Sequence, residues 1–469
     1  MLSSTDRTIS NSIAAGTPSD HGGRISHDTM AEVAAGAGAA LAAEQVLSTT
    51  VQLGGAGYFL TTPTQPLKAT FTRIATAHDD ELKRRSLTRS SHSVTIVNDK
   101  AYIFGGSTAD GEVATNDIHV VNLALPDKQH EPDYQLIPAI PSSEGAGVPG
   151  SRTKHSACAF DFQVAVYGGS NESGYLVNEN SRIWLFNPEN KSWSALQQEG
   201  SSGPTPGSRE GAKTFAYGKS ILLYGGTTSD GRVSSDLWRF DTETKSWHAL
   251  PNPPSLAAPT NAALADDHLY LIASSDPVSS ELNMLPLKPS NSKEQDGEPD
   301  LKWTTLTFPT NPLAPGPQAR HNGALLPITT GYGRNYLVYL LGARVTTSPD
   351  PPSASEKDAN PTQWSDTWVL QLPSSSLQPK PALSLGDALK PAHIKDVIRS
   401  GVGADSGKWS WAEVEVNVPS ELGANEGKLH PGPRALFGAD VQGDGRSVVF
   451  WGGVDAEGNA VGDGWVLRL

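Results

Sequence analysis

At 469 residues the chain has room for two or three ordinary domains or one large closed repeat array, and 46 glycines with 35 prolines point to short strands joined by many turns. A formal net charge of −14 argues against nucleic acid as a general partner, because phosphate binding needs a concentrated basic face and Lys83-Arg84-Arg85 is the only tight basic cluster. The single cysteine, Cys158, excludes an internal disulfide and fits a reducing, intracellular compartment, cytoplasmic or nuclear.

Residues 1–28, rich in Ser, Thr, Asp and Gly, read as a disordered tail, and they lack the basic start and apolar core of a secretory signal. Residues 29–62 read as an Ala/Gly-rich helix or linker, too interrupted by Glu44, Gln45 and glycines to cross a membrane. From residue 63 to 469 the chain repeats itself. Apolar runs end in glycine pairs at Gly105-Gly106, Gly168-Gly169, Gly225-Gly226 and Gly452-Gly453, with weaker echoes at Ala273-Ser274 and Gly342-Ala343. Arg89, Arg152 and Arg209 each stand 16 residues before the first glycine of a pair, Arg434 stands 18 before and Arg320 stands 22 before. In the fourth unit the same spacing lands on Ala257, so that unit lacks both arginine and glycines.

A third segment follows each pair, as in SRIWLFNP and SDLWRFDT, and then a fourth with an aromatic three residues before an aliphatic, such as Trp193 with Leu196 and Trp247 with Leu250. Six third segments meet only five fourth ones downstream; the missing copy is PLKATFTRI near the start, with Phe71 and Ile74 at the same offset. Each unit therefore predicts four strands of one twisted antiparallel sheet, and the shared last sheet closes a ring without open edges. Three insertions leave the ring, at 288–300, at 346–363 and at 373–407, the last with the apolar spacing of a short helix pair.

Arg-x-x-His-Ser at Arg89–Ser93 and Arg152–Ser156, the runs ending Gly-Gly, and the Asp-Leu-Trp-x-Phe-Asp-x-x-Thr-x-x-Trp block at 236–247 resemble the kelch repeat, as in standalone fungal and plant kelch-repeat proteins. The resemblance implies an all-β fold, a six-bladed kelch-type β-propeller whose last blade is closed by an N-terminal strand. Because kelch domains that bind acidic segments use arginines at this repeat position, it also implies a partner-binding mouth at Arg89, Arg152, Arg209, Arg320 and Arg434, with Lys213 and His321 beside them. The competing role for these arginines is architectural, tying blades together through carbonyls or carboxylates. Asp117, Asp236, Asp366 and Asp463, which open the third segments, read as turn-closing acceptors, and His92 and His155 as inner-strand packing.

The resulting expectation is a non-catalytic scaffold that binds a protein partner, through an acidic or phosphorylated segment, on its loops and an arginine-lined channel mouth, with no cofactor, nucleic acid or membrane insertion. The alternative is a small-molecule lyase, isomerase or ligand-binding protein using the same mouth. Specifier-like kelch proteins of that kind hold iron through Glu-x-x-x-Asp-x-x-x-His, which this sequence lacks. No zinc spacing, catalytic Ser-His-Asp set or phosphate loop is legible either.

Overall fold

The computed structural model describes residues 67–74, 87–123, 134–200, 203–273, 279–288, 301–308, 316–329, 334–344, 363–373, 409–417 and 430–469. The expected tail and linker of residues 1–62 lie outside them, as do nearly all of the three insertions and their helix pair.

Six antiparallel sheets follow one another along the chain. Blade one comprises Ser93–Val97, Lys100–Phe104, Ile118–Asn122 and Tyr134–Ile137, from the inner strand outward. Blade two comprises Ser156–Phe160, Gln163–Tyr167, Ile183–Asn187 and Ser192–Leu196, and blade three comprises Lys213–Tyr217, Ser220–Thr228, Val233–Asp241 and Ser246–Leu250. Blade four runs Ala262–Ala265, His268–Ile272, Glu281–Pro286 and Thr304–Thr307, and blade five runs Ala324–Thr329, Asn335–Leu340, Thr367–Gln371 and Ser410–Glu413.

Blade six takes Gly438–Val441, Ser447–Trp451 and Gly464–Arg468 from the C-terminal end of the ring, and its outer strand is Lys68–Arg73. Phe71 pairs with Leu467 and Arg73 with Trp465, so the ring closes between its two ends as the repeat count demands. Beyond that strand, Glu415–Val416 of the chain leaving blade five adds a short parallel pair with Lys68 and Ala69.

Short apolar strands explain the packing. Each blade buries side chains on both faces, and one hydrophobic cluster fills each seam. Phe104, Ile118, Val164 and Trp184 join blades one and two, whereas Val94, Ala101, Ile103 and Trp451 join blade one to blade six. Trp193 and Trp247 fill the gap to the preceding blade, as their place in the repeat predicts, each tilted against an aromatic of its own blade, Phe186 or Phe240, and one across the seam, Phe104 or Tyr167. At five seams the inner strands of neighbouring blades run side by side; between blades three and four the 3-10 turn Pro259–Asn261 packs on blade three's second strand.

Candidate functional site

Four of the repeat arginines, Arg89, Arg209, Arg320 and Arg434, stand in two-residue ribbons just before the inner strands, and Arg152 stands next to the bridge of Thr153 with Ser170 at the same place in blade two. All five side chains are buried. Arg209 Nη1 donates to the carbonyl of Gly225 at 3.0 Å and to Asp236 at 2.6 Å, and Nη2 donates to the other Asp236 oxygen at 3.1 Å and to the carbonyl of Pro206. The same fork joins Arg320 to Asp366 (2.6 and 3.0 Å), Arg434 to Asp463 (2.9 and 3.3 Å) and Arg152 to Glu179 (2.7 and 2.9 Å). A planar guanidinium suits such bidentate pairing, and the carboxylate neutralises a charge that burial would otherwise penalise. Trp238, Trp368 and Trp465 donate their indole N–H to the same three aspartates.

Blade one departs from this pattern. Arg89 donates to the Gly105 carbonyl at 3.0 Å and to His119 Nε2 at 2.9 Å, which leaves the His119 Nδ1 proton for the Tyr134 hydroxyl at 2.7 Å. Burial lowers the Arg89 guanidinium to about 10, partly offset by Tyr134 and Asp117, and it stays charged at neutral pH. Burial first, then Arg89, pulls His119 down to about 3. His155, bonded to Ser93 Oγ at 2.8 Å across the seam, is pulled to about 3 by burial and Arg152.

Both folded pKa values lie below the free value of 6.5, so the stability these two histidines contribute is complete above about pH 6.5 and is lost as pH falls toward about 3. The urea midpoint is therefore expected to drop between about pH 7 and about pH 4.5, and His155→Gln to drop less steeply over that interval.

The glycine pairs complete the joint. The second glycine's N–H donates to the carbonyl of the next blade's arginine: Gly106 to Arg152, Gly169 to Arg209, Gly342 to Arg434 and Gly453 to Arg89, all at 2.9 Å. Each of these arginines therefore staples its own blade with its side chain and receives the preceding blade on its main chain. In blade five the pair position is Leu341-Gly342, one residue earlier than the Gly342-Ala343 echo suggests, since the Leu341 carbonyl accepts from Arg320 and Gly342 reaches Arg434. Where blade four has no glycine pair, the side-chain amide of Asn261 donates to the Arg320 carbonyl at 2.9 Å; where it has no arginine, the Tyr224 hydroxyl donates to the Ala257 carbonyl at 2.9 Å.

Two residues past each arginine, the main chain forms a belt around the channel mouth. The N–H of Lys154 donates to Ser91, Gly211 to Lys154, Ser91 to Leu436 and Leu436 to Asn322, at 2.7 to 2.9 Å. The matching residue of blade four is Pro259, which has no N–H, and there Asn322 turns to the Thr260 hydroxyl instead.

These contacts fit the architectural role that competes with the expected arginine-lined mouth, because a guanidinium already shared between a carboxylate or histidine and a carbonyl has little left for an anion. Asp236, Asp366 and Asp463 are correspondingly ion-pair partners more than turn closers. Of the other two residues expected at the site, His321 sits half-buried in the Arg320 ribbon, with burial lowering its imidazole, and Lys213 opens the inner strand of blade three, with burial lowering its amine. Sequence reasoning missed the exposed tips beyond the ribbons, where Tyr175 is 73% and Val233 is 62% exposed; an aromatic or β-branched residue beside a Ser/Gly-rich turn is their only signal. Among the described residues, no group of three or more His, Cys, Asp or Glu side chains is placed to hold a metal ion, and no helix is long and apolar enough to cross a membrane.

The KLHDC2/KLHL20/DRC7 kelch-repeats domain family matches residues 83–274. The chain is similar to the dynein alpha chain of the flagellar outer arm of Chlamydomonas reinhardtii, 30% identical over 153 residues that make up 32% of this chain and 3% of that protein. It is also similar to Kelch domain-containing protein 3 of Bos taurus, 26% identical over 192 residues, 39% of this chain and 47% of that one. The matches thus span less than half of both curated relatives. Among solved structures, that of YjhT aligns with a TM-score of 0.49 at 17% identity, covering 80% of this chain and 94% of that one.

Proposed function

Because this chain is a kelch-repeat β-propeller protein, we propose that it works as a scaffold that holds a protein partner on the loop face where the arginine ribbons lie. The observation that carries this reading is the pair of exposed tips on that face: Tyr175 extends from the loop bridged to Thr153 through Ser170, and Val233 from the hairpin that pairs with Arg209 and Glu210. Exposed aromatic and aliphatic side chains on rigidly based loops are what an interface core uses.

An acidic or phosphorylated segment would need free cations there. The five arginines are spent internally, Lys154 is paired with Glu210 at 3.0 Å, and Arg232 is paired with Asp230. Apolar contact at the tips is therefore the stronger basis for capture.

The test is affinity capture by the full chain, read by mass spectrometry, against a Tyr175→Ser, Val233→Asp variant. The expected result is loss of the captured protein with a thermal transition within about 2 °C of the parent, since exposed substitutions cost little stability. Undiminished capture by the variant would sink the assignment of this face.

A further inference from the structure

One cation among the arginine ribbons is not spent. Arg344 stands directly across the blade-five ribbon from Arg320. At that place blades one, three and six carry Thr108, Thr228 and Asp455, and blade two carries Asn171, next to its bridge. Three of these close their own hairpin tips with their side chains: the Thr228 hydroxyl donates to Asp230 at 2.6 Å, Asn171 Oδ1 accepts the N–H of Ser173 and Tyr175, and Asp455 Oδ1 accepts those of Glu457 and Asn459. Thr108 does so through its main chain, donating to Glu112 and accepting from Gly111. Arg344 instead sets a second positive charge directly opposite the first, an arrangement that destabilises a strand pair unless it is neutralised.

Asp366 attracts both arginines, but its oxygens are committed to Arg320 at 2.6 and 3.0 Å and to the Trp368 indole at 2.8 Å. Arg344 makes no hydrogen bond or ion pair with any described residue, and its Nε is buried without a partner. Its guanidinium lies over the Trp364 ring, with Cζ 3.5 Å from the centroid. Trp364 is a second departure from the repeat. Its N–H donates to the Gly342 carbonyl as those of Ala114, Val177 and Val461 donate to Gly106, Gly169 and Gly453, yet those three residues are small or aliphatic. The Trp364 indole N–H and the side-chain carbonyl of the buried Gln363 beside it also lack partners among the described residues.

We propose that Arg344, stacked on Trp364, is an oxyanion seat specific to blade five, which takes a carboxylate or phosphate group carried by the bound protein partner. An aromatic face fixes the plane of a guanidinium and leaves its edge donors free for two parallel bonds to such a group. The occupant supplies the negative charge that the Arg320–Asp366 pair does not share. For its occupant the seat rests on the partner face proposed above; for its chemistry it rests only on the departures of blade five.

The test treats the full chain with the arginine reagent phenylglyoxal and maps the modified peptides. In chloride, Arg344 is expected to react at least as fast as Arg232, whose side chain is 84% exposed and paired with Asp230. Inorganic phosphate or acetate, each against chloride at equal ionic strength, is expected to slow Arg344 several-fold and leave Arg232 unchanged. Slowing by phosphate alone assigns the seat to a phosphorylated side chain, and slowing by both extends it to Asp and Glu. An Arg344 rate that neither anion changes overturns the proposal. So does an Arg344 already slow in chloride, because the chain itself then holds the guanidinium. Trp364→Leu is expected to remove the protection, and undiminished protection in this variant, folded, sinks the stacked seat. The labelling uses no partner, so its outcome is read separately from the capture by Tyr175 and Val233.

Discussion

Arg209→Met is expected to destabilise the protein by about 3–5 kcal/mol, as breaking a buried ion pair from one side does. Methionine fills much of the volume but donates nothing. The Asp236 carboxylate, held below the usual range because hydrogen bonds from Arg209, Ser234 and Trp238 outweigh its burial, loses the partner that neutralises it. The carbonyls of Gly225 and Pro206 lose their donor in the same step. Adding Asp236→Leu should recover part of the loss, because the uncompensated charge goes with it. Urea denaturation of the two variants checks both statements. A single variant within about 1 kcal/mol of the parent would return Arg209 to the pool of free surface cations.

Gly168→Ala is expected to cost about 3 kcal/mol or more, through two effects that add at one atom. Gly168 has φ +66°, a conformation that side chains adopt at a penalty, and a Cβ there would lie 2.3 Å from the Arg209 carbonyl oxygen. That oxygen accepts the Gly169 N–H, so it cannot retreat without breaking the joint between blades two and three. Gly111→Ala separates the two effects. Gly111 has φ +83° with nothing within 4 Å of its would-be Cβ, and it should cost only about 1 kcal/mol. Equal losses at both sites, measured by thermal or urea unfolding, would mean that the seam is not what the glycine serves.

The ring was legible in the sequence because it is periodic. The Gly-Gly runs, the tryptophans and the displaced Phe71 segment each obey local spacing rules, and the closing strand pairs at the register those rules imply. The arginine joints were half legible. Their recurrence is a local fact, but the acid that absorbs each guanidinium lies 27 residues away at Asp236 and Glu179, 29 away at Asp463 and 46 away at Asp366, with loops of unequal length between. Only folding brings those positions together, and the aspartates' closeness to turns supplied a cheaper explanation. Blade one was harder still, because His119 does there what an acid does elsewhere and occupies a different offset.

The belt at the channel mouth also bears on how the ring comes apart. A circle of equivalent links has no weakest point and must be cut somewhere at full cost. Here Pro259 leaves the Gly211 carbonyl without its successor's amide; the Arg-to-glycine joint is replaced on both sides of blade four, but on the side of blade five Asn322 still reaches the Thr260 hydroxyl, so the belt is broken only between blades three and four. The circle is therefore a chain with two ends that meet between blades three and four. Opening of the ring is expected to begin at this fault line and not at the N-terminal strand sewn into blade six.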